Sequence, residues 1–205
     1  MRINSQEFNV NELHYTIRSA NIEDAKALSD LRLQLDGETE NFDREQGEGF
    51  IDTTGFEKII KEDTESPRNL CLVAVVDNRI VGFSRCEGSP LKRFAHKVEF
   101  GVGVLKEFWR YGIGKNFLKA SVEWADNNDI KKMALTVVET NDKAILLYKK
   151  LGFEVEGVLK NDKLLSDGNY YNTIVMGRIR DNQLNKPAKQ IGFIEKSSYR
   201  LKLFK

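Results

Sequence analysis

The sequence predicts an α/β sandwich: a mixed, mostly antiparallel central sheet of about six to seven strands, flanked by helices. Three observations carry this reading. Period-2 and helical apolar patterns succeed one another in the order β α α β β β α β α β β. The stretch "LCLVAVVDNRIVGFSRCEG" (70–88) sets two apolar runs around "DNR", the mark of a hairpin. And "KKMALTVV" (131–138) is apolar almost throughout its second half, as a central strand covered on both faces is.

The elements follow in order. Residues 1–12 are polar and read as a frayed terminus. "LHYTIRSA" (13–20) is a short strand, after which Asn21 is placed to cap a helix with Asp24 in its first turn. Ile22, Ala25, Leu28, Leu31 and Leu35 give that helix one apolar face, and Gly37 marks its end. "DGETENFDREQGEG" (36–49) reads as a loop or a mobile short helix. It holds six carboxylates (Asp36, Glu38, Glu40, Asp43, Glu45, Glu48) against one Arg. A second helix covers 53–62 and breaks at "EDTESPRN". Beyond the hairpin, "KVEFGVGVL" (97–105) is a strand, and Phe117, Ala120, Ser121 and Trp124 form a stripe on a helix starting at Ile113. "TNDKAILLYKKLGF" (140–153) is a helix capped by Thr140 or Asn141, with Gly152 at its stop and Phe153 folding back on the last turn. "FEVEGVL" (153–159) and "YYNTIVMGRI" (170–179) close the sheet, joined by the polar "KNDKLLSDGN". The domain thus spans 13–180. Residues 181–205 stand apart, with "NKPAKQIGFIEKSSYRLKLFK" carrying six Lys/Arg and one Glu. They read as a basic tail or as an extension that docks on the domain or a partner.

Composition narrows the function. Across 205 residues, 32 Lys+Arg balance 31 Asp+Glu for a net charge of +1, so no global field points to nucleic acid or to a membrane surface. No apolar run approaches the roughly 20 residues of a membrane span, and "MRINSQEFNV" lacks the apolar segment of a secretory signal. Cys71 and Cys86 lie in apolar strands at a spacing that suits neither zinc nor a disulfide framework. Free thiols of this kind fit a reducing compartment, and a cytoplasmic protein is expected. His14 and His96 are the only histidines, which excludes a histidine-rich metal site, and no metal is expected.

The chemistry concentrates in "VEFGVGVLKEFWRYGIGKNFLKASVEWA" (98–125). A strand leads through a charged and aromatic link to Gly112 and Gly114, where a helix begins. A helix N-terminus carries unpaired N–H donors and partial positive charge, and glycines let phosphates approach the backbone. The same residues also suit a strand-to-helix turn that needs a positive φ. Two other phosphate motifs fail. A P-loop needs Gly where Trp109 stands and Ser/Thr where Asn116 stands, and the Rossmann spacing from Gly101 and Gly103 meets Lys106 instead of Gly.

A second block, "NDKAILLYKKLGF", follows one strand later. Together with Trp109-Arg110-Tyr111-Gly112-Ile113-Gly114, which is similar to the pattern Gln/Arg-x-x-Gly-x-Gly/Ala, it resembles the GCN5-related N-acetyltransferases (GNAT family). The resemblance covers roughly residues 14–180. It implies the acyl-CoA N-acyltransferase fold and direct acetyl transfer from acetyl-CoA, the cosubstrate, to a primary amine of a small molecule or of a protein or peptide N-terminus. It implies that Trp109, Arg110, Tyr111, Gly112, Ile113, Gly114 and Lys115 cradle the pyrophosphate. The backbone of Val102 and Val104 would pair with the pantetheine arm, and Asn141 and Ala144 would help hold it. Trp109 departs from the family's Gln or Arg and removes one side-chain donor, which Arg110 partly replaces.

Tyr148 aligns with the tyrosine that protonates the leaving thiolate; on periodicity alone it is a core tyrosine beside Ala144, Leu147 and Leu151. Glu99 is the candidate general base. Alternation puts it with Gly101 and Gly103, opposite Val98, Phe100, Val102 and Val104, and it also fits a solvated glutamate. Glu139 and His96 are the next candidates. Asn141 suits a plain helix cap as well. The resemblance places the acceptor between segment 36–49 and the loop before the last strand, where the carboxylates would attract a cationic amine or form a solvated loop. It carries an expectation of a homodimer. Two other readings stay open: a non-catalytic acetyl-CoA or CoA sensor, and an interaction protein working through its tail.

Overall fold

The structure, a computed structural model, describes residues 1–180. The expected basic extension at 181–205 lies outside the described residues. The rest forms one eight-stranded sheet in the order β1-β2-β3-β4-β5-β6-β8-β7. Its strands are β1 (Gln6–Val10), β2 (Leu13–Ser19), β3 (Leu70–Val76), β4 (Arg79–Gly88), β5 (Lys97–Val104), β6 (Lys132–Val138), β7 (Glu154–Leu164) and β8 (Tyr170–Ile179). Its helices are α1 (Ala25–Glu38), α2 (Thr53–Glu65), α3 (Ile113–Asn127) and α4 (Asp142–Lys150). Every neighbouring pair is antiparallel except β5–β6.

The eighth strand comes from residues expected to fray. Phe8 stacks on Tyr15 of β2 with ring centroids 5.1 Å apart, and Asn11 and Glu12 turn the chain with φ of 49° and 66°. That is a two-residue turn of the type whose twist matches a hairpin. Asp77 and Asn78, at φ 45° and 64°, make the equivalent turn between β3 and β4. The strand β7 also runs through "KNDKL", read from sequence as connecting loop, because the hairpin register continues to Leu164↔Tyr170.

The helix faces fix the layers. Asp63 of α2 pairs with Arg85 of β4, and Leu35 of α1 lies over Gly103 of β5, so α1 and α2 cover one face. On the other, Asp126 of α3 pairs with Arg178 of β8, whose stem also lies against Gly152 behind α4. Leu28, Leu31 and Leu35 are buried as their spacing requires, whereas Ile22 is exposed, because residues 22–24 form a 3-10 turn out of phase with α1. Asn21 does not cap through its side chain. Its N–H instead donates to Asp24 Oδ2 at 2.9 Å, and Asp24 also binds Arg18. Gly152 and Phe153 end α4 as expected, the Phe153 N–H returning to the Tyr148 carbonyl at 3.1 Å. Among the described residues, no helix is long and apolar enough to cross a membrane.

Candidate active site

The sheet opens between β5 and β6. The two strands pair only at Lys97↔Lys132, Val98↔Met133 and Glu99↔Ala134. Beyond these, β5 stays paired to β4 and β6 to β8, so the facing edges of 100–104 and 135–138 diverge. The direction of the free groups follows from one hydrogen bond. The Leu105 N–H donates to the Val81 carbonyl at 2.9 Å, toward β4. In a trans peptide the preceding C=O points the opposite way, so the Val104 carbonyl faces the opening. Alternation turns the N–H and C=O of Val102 and Phe100 the same way. An extended ligand can add to this edge as a strand would.

The opening leads to the start of α3. Arg110 and Gly112 both have positive φ (75° and 78°), and Gly112 is the residue before the helix, with no side chain bonded to its first turn. The first bond of the helix runs from the Asn116 N–H to the Gly112 carbonyl. The N–H groups of Ile113, Gly114 and Lys115 therefore lack helical acceptors. A Cβ at Gly114 would meet nothing within 4 Å. Free donors, a helix dipole and space above them can accept a phosphate group. Arg110 and Lys115 are exposed beside it.

Trp109 occupies the rim. Its indole N–H donates to the Val104 carbonyl at 2.7 Å, closing the last acceptor on the free edge of β5. Lys106 just before it donates its N–H to Glu38 Oε2 at 2.7 Å, which ties the link to α1.

Tyr148 is buried against Phe153, with ring centroids 5.9 Å apart. Burial alone pushes its phenol up to about 12, so it is neutral over the whole physiological range. Asn141 begins α4: its Oδ1 accepts the Ala144 N–H at 3.3 Å, and its own N–H donates to the carbonyl of Val138 at the splayed end of β6. Ala144 packs against the core.

Glu99 projects on the α1–α2 face, exposed, 3.1 Å from Lys97 Nζ and in register with Glu87 of β4. Gly101 beside it has open space above its Cα. The other proton acceptors considered from sequence are placed differently. Both oxygens of Glu139 are engaged by Asn172, through the N–H at 2.7 Å and Nδ2 at 2.9 Å. His96 is exposed, and its carbonyl accepts the N–H groups of Lys131 and Lys132. Cys71 and Cys86 are buried with thiols pushed up to about 12 by desolvation, which removes them as nucleophiles.

The acidic segment is mostly spent on structure. Asp36 lies at the end of α1, buried, with Arg44 Nε at 3.2 Å. Glu38 holds Lys106, Glu40 Oε1 accepts the Ser166 N–H at 2.7 Å, and Asp43 meets Lys163 at 2.5 Å. The last two contacts fasten the α1–α2 connection to the β7–β8 hairpin. Glu48 accepts the Glu45 N–H. Sequence reading missed this use, since each partner is distant in the chain or a backbone group. Tyr15 was also missed: its hydroxyl meets Tyr111 and Asn116 of the cradle.

A sheet split beside a donor-rich helix start suits an extended, phosphate-bearing ligand. The family model for the acetyltransferase (GNAT) family matches residues 36–153, and the chain belongs to that family. It is 32% identical over 110 residues to the L-amino acid N-acetyltransferase AaaT of Escherichia coli (strain K12), a match covering 53% of this chain and 67% of that protein. It is 37% identical over 98 residues to an N-alpha-acetyltransferase of Sulfurisphaera tokodaii, covering 43% of this chain and 59% of the relative. Among solved structures, a GNAT-family acetyltransferase from Streptococcus pneumoniae superposes with a TM-score of 0.78 at 25% identity, covering 80% of this chain and 99% of that one. The phosphinothricin acetyltransferase of Sinorhizobium meliloti, in complex with acetyl-CoA, shares the fold with a TM-score of 0.73 at 18% identity, covering 86% and 94%.

Proposed function

We propose that this protein is an N-acetyltransferase that moves the acetyl group of acetyl-CoA directly onto a primary amine of a small molecule or of a protein or peptide N-terminus. The observation that carries the reading is the opening between β5 and β6 running into the unpaired N–H groups of Ile113, Gly114 and Lys115. The residues fit the cofactor: donors for a pyrophosphate, the gap-facing edge at Val102 and Val104 for the pantetheine amides, where the Val104 carbonyl is shared with the Trp109 indole, and space over Gly114. When bound, acetyl-CoA supplies an activated thioester carbonyl.

The chain's own groups then divide the work. Glu99, through water, takes a proton from the acceptor ammonium, whose ordinary pKa near 10.4 keeps it unreactive. The amine nitrogen bonds to the carbonyl carbon, and a gap-facing N–H of β5, at Phe100 or Val102, donates to the developing oxyanion. The nitrogen's second proton passes to solvent, the C–S bond breaks and the electron pair leaves on sulfur. Tyr148 donates a hydrogen bond to that thiolate. A phenol at about 12 is a weaker acid than a thiol, whose ordinary pKa is about 8.5, so it stabilises the thiolate better than it protonates it. Arg110 and Lys115 add positive charge at the pyrophosphate, Trp109 and Tyr111 shape the cradle, and Asn141 and Ala144 border the pantetheine arm.

Both relatives are named for amines, one an L-amino acid N-acetyltransferase and one an N-alpha-acetyltransferase. An α-amine next to a carbonyl is common to both classes and is the acceptor we favour. A cationic acceptor drawn by the 36–49 segment is disfavoured by the internal contacts of Asp36, Glu38, Glu40, Asp43 and Glu48. We assign the catalytic domain to 6–180, its start moved from 13 because β1 pairs with β2 in the same sheet, with a cytoplasmic location consistent with two buried free thiols, and a homodimer, for which the exposed Val155, Val158 and Leu159 of edge strand β7 offer a surface. The test is a panel of L-amino acids and short peptides incubated with acetyl-CoA. Equal amounts of free CoA thiol and N-acetylated product support the reading. Acetyl-CoA binding without product from any amine favours the sensor instead.

A further inference from the structure

Tyr15 lies in β2, outside every segment of the proposed cofactor site, yet its side chain ends at the cradle. The residue is fully buried, its ring stacked under Phe8 of β1. Its hydroxyl accepts from Asn116 Nδ2 at 2.7 Å, and donates to the Tyr111 carbonyl at 3.2 Å. The amide can only donate at Nδ2, which leaves the phenolic proton for the carbonyl. Burial raises the phenol above its ordinary value, so that proton is retained.

The consequence is directional. Tyr111 sits between Arg110 and Gly112, both at positive φ. In a trans peptide, C=O and the following N–H point in opposite directions. With the Tyr111 carbonyl held inward by Tyr15, the Gly112 N–H points outward, on the side of the free donors of α3. We propose that Tyr15 is a positioning residue for the cofactor: its hydroxyl fixes the Tyr111–Gly112 peptide so that the Gly112 N–H faces the pyrophosphate of acetyl-CoA. This rests on reading the loop as a pyrophosphate cradle. The strand β1 then has a role too, since Phe8 seats the Tyr15 ring.

The test compares Tyr15→Phe with the wild type on two acetyl donors, acetyl-CoA and S-acetylpantetheine, which lacks the pyrophosphate. One lost charge-assisted hydrogen bond predicts that KM for acetyl-CoA rises about tenfold with kcat unchanged. KM for S-acetylpantetheine stays at the wild-type value. A general loosening of the core would move both donors together, and that result, or no change in either, overturns the proposal. If Tyr15→Phe does not fold, Asn116→Ala serves: it frees the hydroxyl from one side, and a smaller rise in KM confined to acetyl-CoA is expected, with equal KM changes or none again overturning the role. A wild type that does not prefer acetyl-CoA over S-acetylpantetheine removes the cradle itself. A preference that Tyr15→Phe keeps in full removes only Tyr15.

Discussion

The indole N–H of Trp109 donates to the carbonyl of Val104 at 2.7 Å, across the end of the free β5 edge. That carbonyl is the outermost acceptor available to a ligand amide on this edge. The Trp109 indole is therefore a cap on this edge, and a ligand pairing with Val104 has to compete with it.

Removing the cap should tighten binding. Trp109→Phe keeps the aromatic surface and drops the donor, and a net hydrogen bond of about 0.5–1.5 kcal/mol converts to a gain of roughly twofold to tenfold in acetyl-CoA affinity. Fluorescence gives a second readout. Trp124 is buried in the core while Trp109 is 41% exposed, so a change in emission on adding CoA reports Trp109. An unchanged spectrum at saturating CoA would mean that the indole keeps its bond.

Tyr148→Phe separates chemistry from binding. No hydrogen bond shifts the phenol, so the substitution should leave the melting temperature nearly unchanged. Loss of a donor to the thiolate should lower kcat by about 10²-fold or more, with KM for acetyl-CoA within a few fold. The basic limb of the pH–rate profile should not move, since a group titrating at about 12 does not produce it.

Much of this was legible in the sequence. The hairpin at 70–88, the strand 97–105, the helix from Ile113 and the α4 stop at Gly152 and Phe153 all carry local signals: alternation, helical spacing and turn residues. What escaped was set by long-range pairing. The strand β1 is too short and polar to declare itself; it exists because β2 offers an edge and Tyr15 a ring to stack on. The carboxylates of 36–49 looked solvated because Lys163 and Ser166 lie far away in the chain. Tyr15 gave no cofactor signal because its contacts with Tyr111 and Asn116 are created by sheet order alone.

Alkaline pH should destabilise the fold. Cys71 and Cys86 hold their protons to about 12 when buried and release them near 9.0 in the unfolded chain. Above the lower value the unfolded state binds fewer protons than the native one, so stability falls as pH rises from there through the folded values. Denaturant midpoints measured at several pH values should decline above about 9, and Cys86→Ala should flatten that decline. A midpoint constant up to about pH 11 would show that the thiols are not held protonated by burial.

Gly114 tests the central claim most directly, because folding and binding pull in opposite directions there. A Cβ at Gly114 meets open space, so Gly114→Leu, a good helix former, should keep or raise stability, by up to about 1 kcal/mol within a helix. The leucine side chain, unlike the single methyl of the alanine that the family pattern admits here, fills the space above the free N–H groups. Calorimetric titration of acetyl-CoA into both proteins should give a wild-type Kd in the range of about 1 μM to 1 mM typical of enzyme substrates, and at least about tenfold weaker binding for Gly114→Leu. Absence of binding to the wild type, or equal affinity in the two, would contradict the assignment of this cradle to the cofactor.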